Sequence, residues 1–147
     1  MIQITKIIRF EMAHAIAGYE GACKDIHGHS YELQVTVTNT NITADKYIPA
    51  PGFILDFKEL KKRIQTTVTD ELDHKLILSA GFLKNNTDRT NSFLKNLLVW
   101  EVEPTAENLL VFIRLRLNEV LPDNIRLTRL RLYETKDSYA EWLCNPV

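Results

Sequence analysis

The stretch CKDIHGHSYELQVTV, Cys23 to Val37, decides how the chain is read. It holds two of the chain's four histidines, one residue apart, and one of its two cysteines just upstream. From His27 onward the residues alternate. His27, His29, Tyr31, Leu33, Val35 and Val37 share one parity; Ser30, Glu32, Gln34, Thr36 and Thr38 share the other. A period of two marks a half-buried strand. Both imidazoles therefore project from the core face, near one strand end.

Residues 2–14 repeat the device. Ile2, Ile4, Ile8, Phe10 and Met12 lie on one parity, and His14 ends it. Two strands that each bring histidine to the core face suit an antiparallel hairpin, with Gly18, Gly21 and Cys23 in the loop between them. A single histidine there is more simply a hydrogen-bonded strand residue. Three at converging positions, in a chain with four, favour a metal. Neutral imidazole suits zinc, and three protein ligands with an open fourth position is the catalytic pattern. Cys23 has three readings at this stage: a fourth ligand closing a structural site, a thiolate base or nucleophile, or an inert thiol.

Downstream, GFILDFKELKKRIQTTVTDELDH carries a helical stripe of Phe57, Leu60, Ile64, Val68 and Leu72, with Asp56 and Glu59 as a capping box. It ends with Asp73 beside His74. An Asp can orient an imidazole for proton transfer near neutral pH; equally, His74 and Lys75 can complement a helix C-terminus. PTAENLLVFIRLRLNEVLP is a second helix, with Thr105 as N-cap and Leu109, Leu110, Ile113, Leu117, Val120 and Leu121 inside. IRLTRLRLYET alternates again and places Glu134 on the parity of Leu130 and Leu132. A last short strand is expected around Tyr139–Leu143, a polar loop over 82–92 and a short strand over 97–102. Strands and helices are segregated in the order ββααββ, which predicts an α+β sheet with helices on one face. Its free edges favour self-association.

The composition sets outer bounds. With 147 residues, 45% hydrophobic, 25% charged and a net charge of −1, one globular domain over 1–147 is expected. That balance argues against nucleic acid or an acidic membrane as a general partner. Lys6, Arg9 and Glu11 interrupt any apolar N-terminal run, and no segment approaches transmembrane length. Two cysteines make no disulfide framework, so the cytoplasm is the expected compartment.

Six motifs, FEMAH, CKDIHGH, GFILDF, LDHKLI, PTAEN and LYET, stand in the order and spacing of one family. Over nearly the whole chain the sequence resembles the 6-pyruvoyl-tetrahydropterin synthase / 6-carboxytetrahydropterin synthase family. The resemblance implies a T-fold: a four-stranded antiparallel sheet with two helices on one face. It implies trimers that close their sheets into a barrel, a homohexamer of two trimers, and active sites at subunit interfaces. The implied activity is that of a lyase on 7,8-dihydroneopterin triphosphate. By the same resemblance His14, His27 and His29 match zinc ligands, Cys23 the catalytic cysteine, and Asp73 and His74 its proton-relay partners. Glu134 matches the carboxylate that anchors the pterin ring, and Thr105 and Glu107 fall near the pterin pocket.

The C-x₃-H-G-H spacing resembles the bacterial carboxy-forming branch of queuosine biosynthesis, which releases acetaldehyde and triphosphate. The pyruvoyl-forming branch eliminates triphosphate from the same substrate. A non-catalytic domain with a closed His₃Cys zinc site is the alternative from another class. Departures from the family pattern are Met12, where a small residue is commoner, and Lys24 and Asp25 in a variable stretch. Triphosphate contacts therefore do not carry over, although Lys24 and Lys75 are candidates. The segment 80–96 is longer than in compact relatives, as a lid or an oligomer contact would be.

Overall fold

A computed structural model describes residues 1–86 and 94–144. The strands are β1 (Ile4–His14), β2 (His27–Asn39), β3 (Lys75–Ser79), β4 (Leu97–Trp100), β5 (Ile125–Tyr133) and β6 (Tyr139–Leu143). The helices are α1 (Phe57–Ile64), α2 (Asp70–Leu72), α3 (Ala80–Asn85) and α4 (Ala106–Asn118). A π turn, Gln65–Thr69, joins α1 to α2 in one continuous helical run.

The strands form one sheet in the order β4-β3-β1-β2-β5-β6. The four strands expected of the antiparallel sheet are present and antiparallel, β1 with β2, β2 with β5, and β5 with β6, and the short strand expected over 97–102 is β4. The expectation of a four-stranded antiparallel sheet is nevertheless too small. β3 pairs parallel to β1, and β4 parallel to β3, so the sheet is six-stranded and mixed. Parallel neighbours need a crossover, and the helical run between β2 and β3 supplies it. β3 escaped notice because both its faces are covered. Ile77 joins the main core, while Leu76 and Leu78 pack in a second cluster with Ala15, Phe82 and Leu83. A strand buried on both sides loses its alternation, and KLILS then reads as the tail of the preceding helix.

The main core lies between the sheet and two helical runs on one face, as expected. Phe10, Leu33, Leu130 and Leu132 from the sheet meet Leu60, Ile64, Val68 and Leu72 from one run and Leu109, Ile113 and Leu117 from α4. Met12 is part of this core and buried. Phe57, placed on the inner stripe by sequence, is 53% exposed. Asp56 caps α1 by accepting from the Lys58 N–H at 2.6 Å. Glu59 does not complete the capping box; it turns to Arg63 at 2.6 Å instead. Within the π turn, Thr67 donates its hydroxyl back to the Arg63 carbonyl at 2.6 Å, the kind of bond that loosens a helical ladder. Thr105 caps α4 through Asn108 N–H. The helix stops at Asn118, so Val120 and Leu121 lie in the turn beyond it.

Two local features place the site. A β-bulge at Thr128 lets Thr36 face Arg129 while Val37 faces Leu127. The extra residue switches parity, so Ile125 and Leu127 before it and Leu130 and Leu132 after it are all buried. Glu134 thereby falls on the inner side. Residues 80–85 are helical, capped by Ser79 accepting from the Phe82 N–H, where the polar loop 82–92 was expected to begin; residues 87–92 of that loop lie outside the described residues. Among the described residues, no helix is long and apolar enough to cross a membrane.

Leu130 is fully buried beneath both helical runs. Leu130→Ala is expected to cost about 2–5 kcal/mol in urea denaturation. A loss below about 1 kcal/mol would contradict a core closed at this point.

Candidate metal centre

The register of β1 on β2 sets His14 directly opposite His27 and Met12 opposite His29. The three rings gather with centroids 4.6, 4.9 and 5.2 Å apart. One ring nitrogen from each lies within 4.8 Å of the other two, and this is the one such group of metal-binding side chains among the described residues. His14 is 2% exposed, and His27 and His29 are half-buried.

Backbone carbonyls fix the ring tautomers. His14 Nδ1–H donates to the Pro104 carbonyl at 2.7 Å, and His27 Nδ1–H to the Asp25 carbonyl at 2.8 Å. A carbonyl only accepts, so the proton of each neutral ring sits on Nδ1 and Nε2 presents a lone pair. The Nε2 atoms of His14 and His27 stand 3.1 Å apart with no proton to share. His29 Nε2 is buried and makes no hydrogen bond. Burial holds the pKa of both His14 and His29 below the ordinary 6.5, against the pull of the Glu134 carboxylate. Three imidazoles with one ring nitrogen each gathered together are a donor set that fits zinc.

Glu134 stands beside this cluster, with Oε1 3.3 Å from Nε2 of both His14 and His29. Tyr31, fully buried, donates its hydroxyl to the same oxygen at 3.2 Å. Burial first, and then the Glu134 charge, raises the Tyr31 phenol well above its usual range, so it stays a donor. A cavity of about 340 Å³ opens in front, lined by His14, Cys23, Thr105, Glu107, Glu134 and Tyr139 among others. Four of the residues singled out from sequence, Cys23, Thr105, Glu107 and Glu134, therefore share one cavity with a metal-site histidine. Cys23 is exposed on a 3₁₀ turn, Ala22–Lys24, and lies outside the group of ligand atoms.

The Asp73–His74 pair forms as expected but does not line that cavity. His74 lines a second surface cavity, with Glu11, Ser30, Lys75, Asn96 and also His29 of the histidine cluster. Adjacent helical residues do not face each other. Here they meet because the helix has already ended: Asp73 is extended and His74 is left-handed at φ +58°. His74 Nδ1 and Asp73 Oδ2 are 2.9 Å apart, and Asp73 Oδ1 accepts from Glu11 N–H at 2.9 Å. That backbone bond, followed by His74, holds the Asp73 carboxyl below the usual range. The His74 side chain is 79% exposed.

Sequence reasoning missed four contributors. The carbonyls of Pro104 and Asp25 leave no side-chain signature. Tyr31 was legible only as a core aromatic. Glu103, an acid directly before PTAEN, was visible but passed over; its carboxylate binds Ala17 N–H and Ser79.

The chain resembles known proteins along most of its length. A model of the 6-pyruvoyl tetrahydropterin synthase family matches residues 3–143. The 6-carboxy-5,6,7,8-tetrahydropterin synthase of Rickettsia bellii is 30% identical, over 96% of this chain and 99% of the relative. The protein of the same name from Haemophilus influenzae is also 30% identical, over 97% and 99%. Among solved structures, an uncharacterized protein from Wolinella succinogenes aligns with a TM-score of 0.73 at 18% identity, covering 97% of each chain. The 6-pyruvoyl tetrahydropterin synthase of Caenorhabditis elegans aligns with a TM-score of 0.67 at 20% identity, covering 98% of this chain and 96% of that one. These structural likenesses carry the fold.

Two outcomes are expected. Burial holds the pKa of His14 and His29 below 6.5, so proton competition for these two rings grows chiefly below that pH. Zinc titrated into metal-free protein should bind fully at pH 7 and be released with a midpoint under 6.5; a midpoint at or above that value would contradict the arrangement. A non-glycine residue in the left-handed region costs about 1–2 kcal/mol. His74→Gly should therefore raise stability by about 1 kcal/mol, after loss of the exposed Asp73 contact; a drop in stability would contradict the strain.

Proposed function

The chain belongs to the 6-pyruvoyl tetrahydropterin synthase family, and from that premise we propose that it is a zinc-dependent 6-carboxytetrahydropterin synthase. The reaction converts 7,8-dihydroneopterin triphosphate to 6-carboxy-5,6,7,8-tetrahydropterin and releases acetaldehyde and triphosphate, as a step toward 7-deazaguanine nucleosides in the cytoplasm. One observation carries this reading: ring nitrogens of three histidines converge, and one of those rings, His14, lines a cavity that also holds a thiol and a carboxylate. The carboxy-forming activity is favoured because the relatives at 30% identity bear that name.

His14, His27 and His29 would hold zinc through Nε2. Zinc bound there supplies Lewis-acid polarisation to substrate hydroxyl and carbonyl oxygens. The remaining work falls to the chain's own groups. Glu134 accepts paired hydrogen bonds from the pterin N–H groups, its carboxylate steadied by Tyr31. Cys23, as thiolate, takes a carbon-bound proton beside the developing carbonyl. Thr105 and Glu107 flank the ring from the cavity wall.

The Asp73–His74 pair moves protons on, which requires it to come near a thiol that lines a different cavity of the same chain. It is preassembled and exposed, and His74 lines a separate surface cavity that it shares with His29. A second copy of the chain would bring it to Cys23, in a homohexamer of two trimers with sites between subunits. β4 and β6 are short edge strands that leave room for such pairing.

Incubating the zinc-loaded protein with 7,8-dihydroneopterin triphosphate tests this directly. Acetaldehyde with a carboxylated pterin is expected. Triphosphate without acetaldehyde would mean the pyruvoyl-forming reaction, and no turnover would contradict both. Cys23→Ala should keep its zinc and lose at least ~100-fold in turnover. Loss of zinc in that variant would make the sulfur a ligand and the site a closed structural one.

A further inference from the structure

We propose that Glu103 is a positioning residue, a two-armed clasp that holds the loop bearing Cys23 against the segment that orients His14. The inference rests on the zinc-and-thiol reading above. Glu103 immediately precedes Pro104, whose carbonyl fixes the His14 ring. One carboxylate oxygen, Oε2, accepts from Ala17 N–H at 2.8 Å; the other, Oε1, accepts from the Ser79 hydroxyl at 2.6 Å. Its own carbonyl accepts from Thr105 N–H at 2.9 Å and from Asn108 Nδ2–H at 2.8 Å. Side chain and main chain are thus both tied.

Each arm reaches something the site needs. Ala17 lies in the loop 15–26, closed at its neck by Ile16 N–H donating to the Cys23 carbonyl at 2.8 Å. The same loop ends in Asp25, whose carbonyl fixes His27. Ser79 is a firm post: it is 2% exposed, ends β3, and also accepts from Phe82 N–H. A single carboxylate therefore links the backbone that sets one ring to the loop that sets a second ring and presents the thiol. A carboxylate suits the task because both partners are donors and it offers only acceptors.

Three substitutions separate reach from charge. Glu103→Gln keeps an acceptor for Ala17 N–H and can donate to the Ser79 oxygen, so it should behave as the parent within about threefold. Glu103→Asp keeps the charge but is one methylene short, and Glu103→Ala loses both arms. In these two, hydrogen exchange at the Ile16 and Ala17 amides of the zinc-loaded protein should quicken at least ~10-fold. Zinc affinity in chelator competition should weaken ~10–100-fold. Turnover (kcat) should fall at least ~10-fold with KM within about threefold, since the pterin-binding wall is untouched. Parent-like exchange and zinc affinity in Asp or Ala would overturn the clasp, as would Gln as damaged as Ala. Should Glu103→Ala fail to fold, the Asp and Gln pair decides. Exchange and zinc affinity need no substrate, so an inactive parent protein would fault the proposed reaction and leave this inference standing or falling on its own.

Discussion

Everything at the site depends on one pairing: His14 on β1 lies across from His27 on β2, with His29 one step along the same face. Antiparallel strands alternate their faces with a period of two. A slip of one residue would turn all of β2's histidines outward and expose Tyr31, Leu33 and Val35. The hydrophobic core therefore enforces the register, and the register enforces the cluster. Stability and chemistry are carried by the same residues' parity.

Around this pairing the backbone does much of the electrostatic work. Two carbonyls commit the Nδ1 protons, which leaves the Nε2 lone pairs facing one another. Such a cluster is unfavourable unless something positive sits between the nitrogens. Burial sharpens this by disfavouring protonation of His14 and His29, so a proton is a poor substitute for a metal ion. Glu134 and Tyr31 then form the floor beside the rings, and the loop 15–26 closes over them. The acidic clasp at Glu103 joins these parts, drawing on three distant stretches of sequence.

Much of the fold was legible because β1, β2 and β5 each bury one face. Their alternation reads directly, and so do the capped helices at Asp56 and Thr105. β4 was expected as a short strand over 97–102, but β3 was harder for a physical reason: Leu76, Ile77 and Leu78 are all buried, and parallel pairing leaves no hairpin signal. The bulge at Thr128 likewise hid in a run that seemed to break its own pattern. At the site, the three histidines and Cys23 could be found by residue type and spacing. What sequence could not supply was the role of atoms without side chains, the Pro104 and Asp25 carbonyls, or the separation of Asp73–His74 from the cavity. His74, at a left-handed turn, borders a cavity with His29, whereas Cys23 lines the other cavity with His14.

X-ray absorption on the zinc-loaded resting protein tests the centre most directly. Three imidazole nitrogens near ~2.0–2.1 Å with one light oxygen donor, and no sulfur, is the expected first shell. A sulfur at ~2.3 Å, or fewer than three imidazoles, would contradict an open three-histidine site with the thiol held apart.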